Sequence, residues 1–337
     1  MVIQNFKSFF DGVSGLKILV IGDLILDEYI WGQVFRISPE APVPIVTVDH
    51  LSYRLGGAGN VASNIESLGG YPILCGVLGD DREGQIFRDI VEHRKMGKAG
   101  ICTELSRWTS KKTRIIAHSQ QVVRLDRESN YQIELETYQQ IKQNLSRLTD
   151  CGIKAIVISD YNKGVISSDL MRDIREFAAG IGAPIISDPK GKNMQLHKYL
   201  DLITPSYVDA AHFCHVDPIS KRGVYLTGLK LLGVLKCGSV LLTQGSLGMT
   251  LFKKEPRITE TNIPAVAKEV SDVTGAGDTV SAVMALGLGA GLDMENTAIL
   301  ANVAAGIVVG KVGTSTASMA ELEKALSREI ENNKNKA

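Results

Sequence analysis

Cysteine is scarce in this sequence and shows no pairing pattern. The 337 residues include only five cysteines, an odd number with no CxxC pair, at positions 75, 102, 151, 214 and 237. Disulfide-stapled secreted domains and four-cysteine zinc sites need paired cysteines, so the sequence is typical of neither class. We expect reduced thiols in an intracellular protein.

Neither a surplus of one charge nor a long apolar run is present. Thirty-seven basic residues balance thirty-seven acidic ones, and no basic arm suggests a nucleic-acid partner. No apolar stretch approaches the roughly 20 residues that a membrane-spanning helix needs. Residues 1–15 lack the basic start and apolar run of a signal peptide. We therefore expect a soluble cytoplasmic protein that binds neither nucleic acid nor membrane.

Short β-branched runs alternate with longer helical patterns along most of the chain. Runs such as residues 17–22 (KILVIG) and 239–243 (SVLLT) are almost wholly apolar, which is typical of strands covered on both faces. Helical patterns follow most of these runs. The alternation predicts one α/β domain over residues 1–337, with a mostly parallel central sheet flanked by helices.

Two segments interrupt that alternation. Residues 32–55 contain three prolines and the strand pattern VPIVTV, and residues 108–129 include a stretch that alternates polar and apolar side chains. Neither segment has a helix attached, so we expect them to form a small separate sheet, a lid over the α/β core. Its half-exposed face would pair with a second subunit in a homodimer. The alternative is two ordinary excursions from the main sheet.

The sequence DVTGAGD, residues 272–278, carries the strongest chemical signal. Gly275 and Gly277 flank Ala276 and allow a tight turn that presents backbone N–H groups at the start of the next helix. Such a turn binds anionic phosphate oxygens. Asp278 would repel the phosphate, so we interpret it as a base that accepts a proton from an attacking hydroxyl. The alternative is a favourable acid in a first helical turn.

Competing motifs are weaker. No GxxxxGK[ST] motif occurs, because Val312 follows Lys311 in the nearest candidate. Residues 57–62 fit the dinucleotide pattern GxGxxA, with Asp80 about twenty residues on, but the nearest strand pattern ends at Val48. A metal-ligating role is a further alternative for the cluster His212, Cys214 and His215.

Taken together, the motifs resemble those of the ribokinase family of sugar kinases over nearly the whole chain. Its two general signatures are GGAGN (56–60) and DVTGAGD (272–278). The more specific strings are similar to those of the branch that phosphorylates heptose 7-phosphate. They are VIGDLILDEYIWG (20–32), RISPEAPVP (36–44), RLD (124–126), SDYNKG (159–164), DPKG (188–191), GMTLF (248–252) and VVGKVGT (308–314).

The resemblance implies a ribokinase-like fold and a sugar site at the carboxyl ends of the strands, where open α/β sheets bind ligands. Asp23 would hold sugar hydroxyls, and Lys163 would hold the substrate's own phosphate. The full set of expected substrate-binding residues is Asp23, Gly56, Gly57, Asn60, Arg124, Asp126, Asp160 and Lys163.

The resemblance also implies ATP and Mg²⁺ as cofactors, with a monovalent cation such as K⁺ as a further expectation. Lys190 would lie near the nucleotide phosphates, and Asn302 would flank the adenine. The expected nucleotide-binding residues are Asp188, Lys190, Thr243, Gly245, Gly248, Gly275, Gly277 and Asn302.

One departure from the family pattern concerns the metal. The family usually shows TPN and then, after two intervening residues, Glu, whereas this chain has Ser206 in place of the Asn and Asp209 in place of the Glu. Asp209 keeps a carboxylate on a shorter arm and would contact Mg²⁺ through water. The nucleotidyltransferase signature HxGH is absent from this sequence, so we expect a stand-alone kinase.

The implied reaction is phosphorylation of D-glycero-β-D-manno-heptose 7-phosphate by ATP at the anomeric hydroxyl, in the synthesis of ADP-heptose for the lipopolysaccharide core. Three alternatives remain open. The first is a kinase of the same family with another sugar, phosphosugar or nucleoside as acceptor. The second is a non-catalytic regulator that binds sugar phosphates, and the third is a dinucleotide-dependent oxidoreductase.

Overall fold

The computed structural model describes residues 2–118, 120–267 and 270–334. Residue 119, within the second predicted lid segment, lies outside these ranges. Thirteen strands are assigned in the described residues: β1 (Lys17–Gly22), β2 (Leu24–Ile37), β3 (Pro44–Gly57), β4 (Tyr71–Gly79), β5 (Gly97–Glu104), β6 (Ser110–Ala117), β7 (Gln120–Arg127), β8 (Ala155–Asp160), β9 (Ile185–Pro189), β10 (Leu202–Ile203), β11 (Ser239–Thr243), β12 (Met249–Lys253) and β13 (Thr259–Ile263).

Ten α-helices accompany these strands in the described ranges. Short 3₁₀ turns occupy Gly191–Leu196 and Gly245–Leu247. The helices are α1 (Val2–Gly12), α2 (Ala58–Ser67), α3 (Arg82–His93), α4 (Leu135–Arg147), α5 (Ser168–Ile181), α6 (Tyr207–Phe213), α7 (Gly223–Leu235), α8 (Ala276–Gly289), α9 (Met294–Val308) and α10 (Met319–Lys334).

Nine strands form the central sheet, in the order β13-β12-β11-β10-β9-β8-β1-β4-β5. All pairings from β11 to β5 are parallel, whereas β12 pairs antiparallel with both β11 and β13, so β12 alone runs in the opposite direction. In β1, Ile18 and Val20 belong to one apolar cluster and Leu19 and Ile21 to the other. Because successive side chains point to opposite faces, an unbroken apolar run is what a sheet covered on both faces requires. The predicted fold class is confirmed.

A second sheet contains four strands in the order β3-β2-β6-β7. It is mixed, because β2 runs parallel to β6 while the other two pairings are antiparallel. β2 begins at Leu24, directly after the turn at Gly22 and Asp23. The small sheet therefore grows out of the carboxyl end of β1, and it stands over the edge of the large sheet where the predicted site lies.

The prediction that the strand before the GxGxxA pattern ends at Val48 is wrong. β3 continues to Gly57, so the GxGxxA pattern does follow a strand and does open a helix, α2. That strand belongs to the small sheet and pairs antiparallel with β2, whereas the dinucleotide motif needs the first βα turn of a parallel βαβ unit. The tertiary context, rather than a gap after Val48, argues against nucleotide binding at this turn.

Two strands at the ends of the central sheet were not predicted from the sequence. β5 (GKAGICTE) and β13 (TETNI) carry few apolar residues, and several of their side chains are exposed. Edge strands are covered less completely than central ones, so their apolar signal is weak. Among the described residues, no helix combines the length and apolar character that crossing a bilayer requires.

Candidate active site

Five polar side chains converge where the parallel strands end. Asp23 follows β1, Asp160 closes β8, and Asp188 lies near the end of β9. Asn60 lies in the first turn of α2 and Asp278 in the first turn of α8. All five are at most 2% exposed, so each needs partners inside the protein.

The turn before α8 has little room for side chains. Gly275 adopts φ 83°, a left-handed conformation that strongly favours glycine. A Cβ there would lie 2.5 Å from the side-chain nitrogen of Asn60, and a Cβ on Gly277 would lie 3.2 Å from Lys190 Nζ. These glycines let the helix N-terminus approach both residues closely. The N–H groups of the first turn are left without helical partners, which is the arrangement that binds anions.

Asp278 is buried and hydrogen-bonded through both oxygens. Asn60 Nδ2 donates to Oδ2 at 2.8 Å, and the hydroxyl of Tyr161 donates to Oδ1 at 2.9 Å. Burial raises the pKa of Asp278 to about 7, even though Lys190 acts in the opposite direction. A carboxylate with a pKa near neutrality is suited to accept a proton during catalysis.

Lys190 faces the same turn. Its Nζ lies 2.9 Å from Oδ1 and 2.8 Å from Oδ2 of Asp188. Burial alone would lower the pKa of Lys190, but the charges of Asp188 and Asp278 raise it above its ordinary value. Lys190 is therefore a fixed cation next to the α8 turn.

Asp23 occupies the turn between the two sheets. Its Oδ2 accepts hydrogen bonds from the backbone N–H groups of Tyr161 at 2.7 Å and Lys163 at 3.1 Å. Its Oδ1 is buried and has no hydrogen-bond partner among the described residues. Burial, assisted by the nearby charge of Asp160, raises the pKa of Asp23 to about 7. An unpaired buried oxygen at this edge is consistent with a ligand hydroxyl as its partner.

Gly56 and Gly57 bring α2 against this turn. A Cβ on Gly57, whose φ is 57°, would lie 2.5 Å from the carbonyl oxygen of Asp23, and one on Gly56 would lie 2.5 Å from Asp27 Oδ2. The two glycines thus shape the site by close backbone approach.

Asp160 lies beneath the site and its oxygens have internal partners. Oδ1 accepts from the backbone N–H of Asn162 at 2.8 Å, and Oδ2 lies 3.0 Å from Nε2 of the buried His197. The other ring nitrogen of His197 lies 2.6 Å from the hydroxyl of Ser187. The structure therefore connects Asp160 to an interior hydrogen-bond chain that the sequence patterns did not indicate.

A pocket of about 230 Å³ opens between the α8 turn and the small sheet. Asp278 and Tyr161 line its floor. Its lining also includes three cations of the small sheet and one carboxylate: Lys112, Arg114, Arg124 and Asp27. Of these four, only Arg124 was predicted from the sequence. Lys112 and Arg114 belong to an alternating strand, where position alone does not say which residues face a ligand.

Carboxylates already neutralise these cations. Arg124 binds Asp126 through two hydrogen bonds of 2.8 and 3.0 Å, and Arg114 lies 2.6 Å from Asp27. Lys163, the residue expected to hold the substrate phosphate, donates instead to Glu128 at 2.6 Å. Lys163 is not part of the pocket lining, whereas Arg124 is.

The expected nucleotide side lies beyond Lys190, at the ends of β10 and β11. Gly245 (φ 58°) and Gly248 (φ 92°) shape the turn after β11. The backbone N–H of Thr243 donates to the carbonyl oxygen of Pro205 at 3.1 Å, and Asn302 Nδ2 donates to the carbonyl oxygen of Pro264 at 2.7 Å. Asn302 is thus engaged with the segment that follows β13.

Ser206 and Asp209 form a helix cap. The Ser206 hydroxyl accepts the N–H of Asp209 at 3.1 Å and donates to its carboxylate at 2.7 Å. The cap fixes the start of α6 and the position of the Asp209 carboxylate. From that position, the charge of Asp209 contributes to raising the pKa of Lys190. Ser206 is therefore the N-cap of α6, at the position where the family usually has asparagine.

The histidine and cysteine cluster near α6 gains no support as a metal centre. His212 and His215 are exposed and Cys214 is buried. In the described part of the chain, no group of three or more His, Cys, Asp or Glu side chains is placed to hold a metal ion.

Comparison with known proteins agrees with this geometry. A family model described as pfkB family carbohydrate kinase matches residues 16–321, which include the whole site. The chain belongs to the pfkB family of carbohydrate kinases. The resemblance found in the sequence motifs is confirmed.

Curated relatives of this kinase align with nearly its full length. It is 40% identical over 319 residues to the bifunctional protein HldE of Citrifermentans bemidjiense, covering 95% of this chain and 65% of the relative. HldE of Geotalea uraniireducens is also 40% identical, with 95% and 64% covered. The chain therefore spans a little under two thirds of the length of these relatives.

Solved structures share the fold of the kinase at low sequence identity. Phosphofructokinase-2 from Escherichia coli in complex with potassium has a TM-score of 0.76 at 17% identity, covering 94% of this chain and 99% of that one. Arabidopsis thaliana ribokinase complexed with ribose and ATP has a TM-score of 0.71 at 17% identity, covering 93% and 99%.

Proposed function

We propose that this kinase transfers the γ-phosphoryl group of ATP to the anomeric hydroxyl of D-glycero-β-D-manno-heptose 7-phosphate. The product would be the 1,7-bisphosphate, in the synthesis of ADP-heptose for the lipopolysaccharide core. The observation that carries the proposal is a buried carboxylate, Asp278, behind a glycine turn and on the floor of a pocket rimmed by cations. The heptose-kinase-like strings and the 40% identity to proteins named HldE support this acceptor.

Asp278 acts as the general base in this mechanism. It accepts the proton from the acceptor hydroxyl as that oxygen attacks phosphorus. The N–H groups of the α8 turn and the Lys190 ammonium offset the negative charge that spreads over the transferring group. Protein catalysis of phosphoryl transfer consists mainly of positioning and electrostatics, and these residues supply both.

The Asp209 carboxylate, within electrostatic reach of Lys190 on the nucleotide side, is an oxygen donor of the kind that a magnesium ion takes. Mg²⁺ prefers carboxylate, phosphate and water oxygens, and it is usually held by one or two carboxylates with substrate phosphates. Asp209 would contact the ion through water. When bound, Mg²⁺ would neutralise charge on the nucleotide phosphates. Activation by a monovalent cation such as K⁺ is part of the same proposal.

The substrate's own phosphate would bind the small sheet. Lys112 and Arg124 line the pocket opposite Asp278, whereas Lys163 does not. Arg124 presents a guanidinium whose fork matches phosphate oxygens, and a dianion would displace Asp126 from it. We therefore propose Arg124 and Lys112 as the phosphate contacts, with Asp23, Gly57 and Asn60 next to the sugar.

We also propose a homodimer that forms through the small sheet, in a cytoplasmic location where ATP is supplied. The support is a set of large apolar side chains that this sheet leaves in solvent. They are Phe35 (74% exposed), Ile37 (60%), Val48 (53%), Leu51 (51%) and Leu125 (56%). An apolar surface of this kind on a monomer is typical of an interface.

A coupled assay of ATP consumption with a panel of sugars and phosphosugars tests the proposed reaction. We expect heptose 7-phosphate to give the highest kcat/KM, with phosphorus NMR placing the new phosphate on the anomeric carbon. Asp278→Asn should bind ATP normally and lose on the order of 10² or more in kcat. A higher kcat/KM for another acceptor would make that compound the preferred substrate. Near-normal turnover of Asp278→Asn would contradict the role of Asp278 as the base.

A further inference from the structure

The turn after β8 connects two parts of the site that the family signatures treat separately. The side chain of Tyr161 reaches Asp278, with 2.9 Å between its hydroxyl and Oδ1. The backbone N–H of the same residue donates to Asp23 Oδ2 at 2.7 Å. One residue therefore contacts both the proposed base and the carboxylate next to the sugar.

This turn is held from several sides. Asn162 has φ 60° and Gly164 has φ 88°, and a Cβ on Gly164 would collide with the carbonyl oxygen of Tyr131. Arg107 donates to the carbonyl oxygen of Lys163 at 3.0 Å. These contacts hold the backbone of the turn that carries Tyr161, and the Lys190 ammonium lies over the Tyr161 ring, 5.8 Å from its centre.

Arg107 is in turn fixed by a buried ion pair. Its Nε lies 2.8 Å from Oε1 of Glu104, and both side chains are almost fully buried. The other oxygen of Glu104 accepts the N–H of Glu134 at 2.9 Å. A charged hydrogen-bonded pair in a low-dielectric interior holds its geometry well when its remaining donors and acceptors are satisfied.

Tyr161 is also a permanent donor. Burial, together with the charges of Asp278 and Asp188, raises the pKa of its phenol well above the ordinary value. The phenol therefore keeps its proton throughout the working pH range. Because the ring is fixed and the proton is retained, the hydrogen bond to Asp278 favours one carboxylate rotamer and the ionised form of that carboxylate.

We propose that Tyr161 is a positioning residue that orients the Asp278 carboxylate toward the acceptor hydroxyl and ties it to Asp23. The inference rests on the proposed role of Asp278 as the base. Tyr161 acts through Asp278, and removing its hydroxyl leaves Asp278 with one neutral donor, Asn60.

The charged and titratable groups around Asp278 set the direction of the expected change. Burial and the charge of Asp188 raise the pKa of Asp278, while Lys190 and the hydrogen bonds from Asn60 and Tyr161 lower it. Loss of the Tyr161 hydroxyl should therefore raise the pKa of the base. The rate of proton acceptance depends on the ionised form, so the acid limb of the pH profile should move to higher pH.

Tyr161→Phe tests the proposal, with Tyr138→Phe as the matched control. Tyr138 makes a similar phenol–carboxylate bond, to Asp173 Oδ2 at 2.6 Å, between α4 and α5 and away from the pocket. For Tyr161→Phe we expect the acid limb of kcat/KM to shift upward by about one pH unit. The value of kcat at pH 7 should fall about fivefold, because the ionised fraction of Asp278 drops by that factor, with the Kd for ATP unchanged. Tyr138→Phe should leave the profile in place.

A direct titration separates this inference from the proposed reaction. The ¹³Cγ resonance of Asp278 reports its ionisation by NMR without any acceptor, and it should titrate at higher pH in Tyr161→Phe than in the wild type. An unshifted resonance together with an unshifted pH profile would overturn the role of Tyr161. If Asp278→Asn retained turnover, the base assignment would fail instead, whatever the resonance showed.

Should Tyr161→Phe not fold, 3-fluorotyrosine at position 161 provides a second measurement. It keeps the hydroxyl and makes it a stronger donor, so the acid limb should shift downward. An upward shift, or none, would contradict the proposal.

Discussion

Asn60 Nδ2 lies 2.8 Å from Asp278 Oδ2, although 218 residues separate the two in sequence. One turn further along α2, Asn64 Oδ1 accepts a hydrogen bond of 2.9 Å from the hydroxyl of Thr279, the residue after Asp278. These two contacts join the first two turns of α2 to the first turn of α8. The two glycine-rich signatures of the family therefore form one unit, in which the first positions the base supplied by the second.

The close approach at Gly275 should make this position intolerant of any side chain. In Gly275→Ala the new Cβ meets Asn60 and the φ of 83° is strained, so we expect kcat to fall at least tenfold. Gly291→Ala is the matched control, because Gly291 has φ 81° but nothing within 4 Å of its Cβ. The control should lose only about 1–2 kcal/mol of stability and keep its kcat. Equal losses of activity would show that strain alone is responsible.

Thr279→Val should destabilise the contact between α2 and α8. The substitution removes the donor to the buried Asn64 oxygen, and an unpaired buried acceptor costs about 1–3 kcal/mol. Urea denaturation measures the change in the free energy of unfolding. Ser327→Ala, on the exposed side of α10, should be nearly neutral. A loss below about 0.5 kcal/mol in Thr279→Val would mean that this contact contributes little.

Asp278 should also make stability depend on pH. Its folded pKa of about 7 lies above the ordinary value of 3.8, so the folded state binds the proton more tightly than the unfolded chain. The stabilisation is complete below about pH 4 and disappears as the pH rises through 7. Between pH 5 and 8, the wild type should therefore lose about 2 kcal/mol more than Asp278→Asn.

The measurement is urea unfolding of both proteins at several pH values. Asp169→Asn, at an exposed position on α5, controls for the loss of one carboxylate. Asp23 contributes with the same sign, since burial also raises its pKa to about 7, and its contribution persists in both proteins. Parallel stability curves for wild type and Asp278→Asn would contradict a raised pKa.

The cations of the small sheet should determine the affinity for a phosphorylated acceptor. We expect Arg124→Gln and Lys112→Met each to raise the KM for the phosphosugar about 10- to 100-fold, because a charged hydrogen bond contributes about 1.5–3 kcal/mol. The KM for ATP should not change. Arg36→Gln, on β2 outside the pocket lining, is the control. A comparable rise in the KM for ATP would point to general damage.

Charge placed on the exposed apolar surface of the small sheet should separate the proposed dimer. Leu125→Asp introduces a carboxylate at a position that is 56% exposed in the monomer, so the fold should tolerate it while an apolar interface would not. Light scattering should give a dimer mass for the wild type and a monomer mass for the variant. A monomeric wild type at working concentration would reject the dimer.

Periodicity and local motifs predicted much of the framework. The runs KILVIG and SVLLT gave the strands Lys17–Gly22 and Ser239–Thr243 with their observed bounds, because covering both faces of a strand demands consecutive apolar residues. The glycine turn before Asp278 also lies where it was expected, at the start of a helix. Polar edge strands such as β13 escaped prediction, because they bury too little for a pattern to form.

The amino-acid sequence by itself determined the parallel α/β architecture, the family and the position of the glycine turn with its carboxylate, because each of these depends on residues close together in the chain. Only the tertiary structure decided which side chains meet that carboxylate. Asn60 and Tyr161 reach it from 218 and 117 residues away. Their meeting depends on which strands lie side by side in the sheet, and strand order follows from long-range pairing that no local pattern encodes.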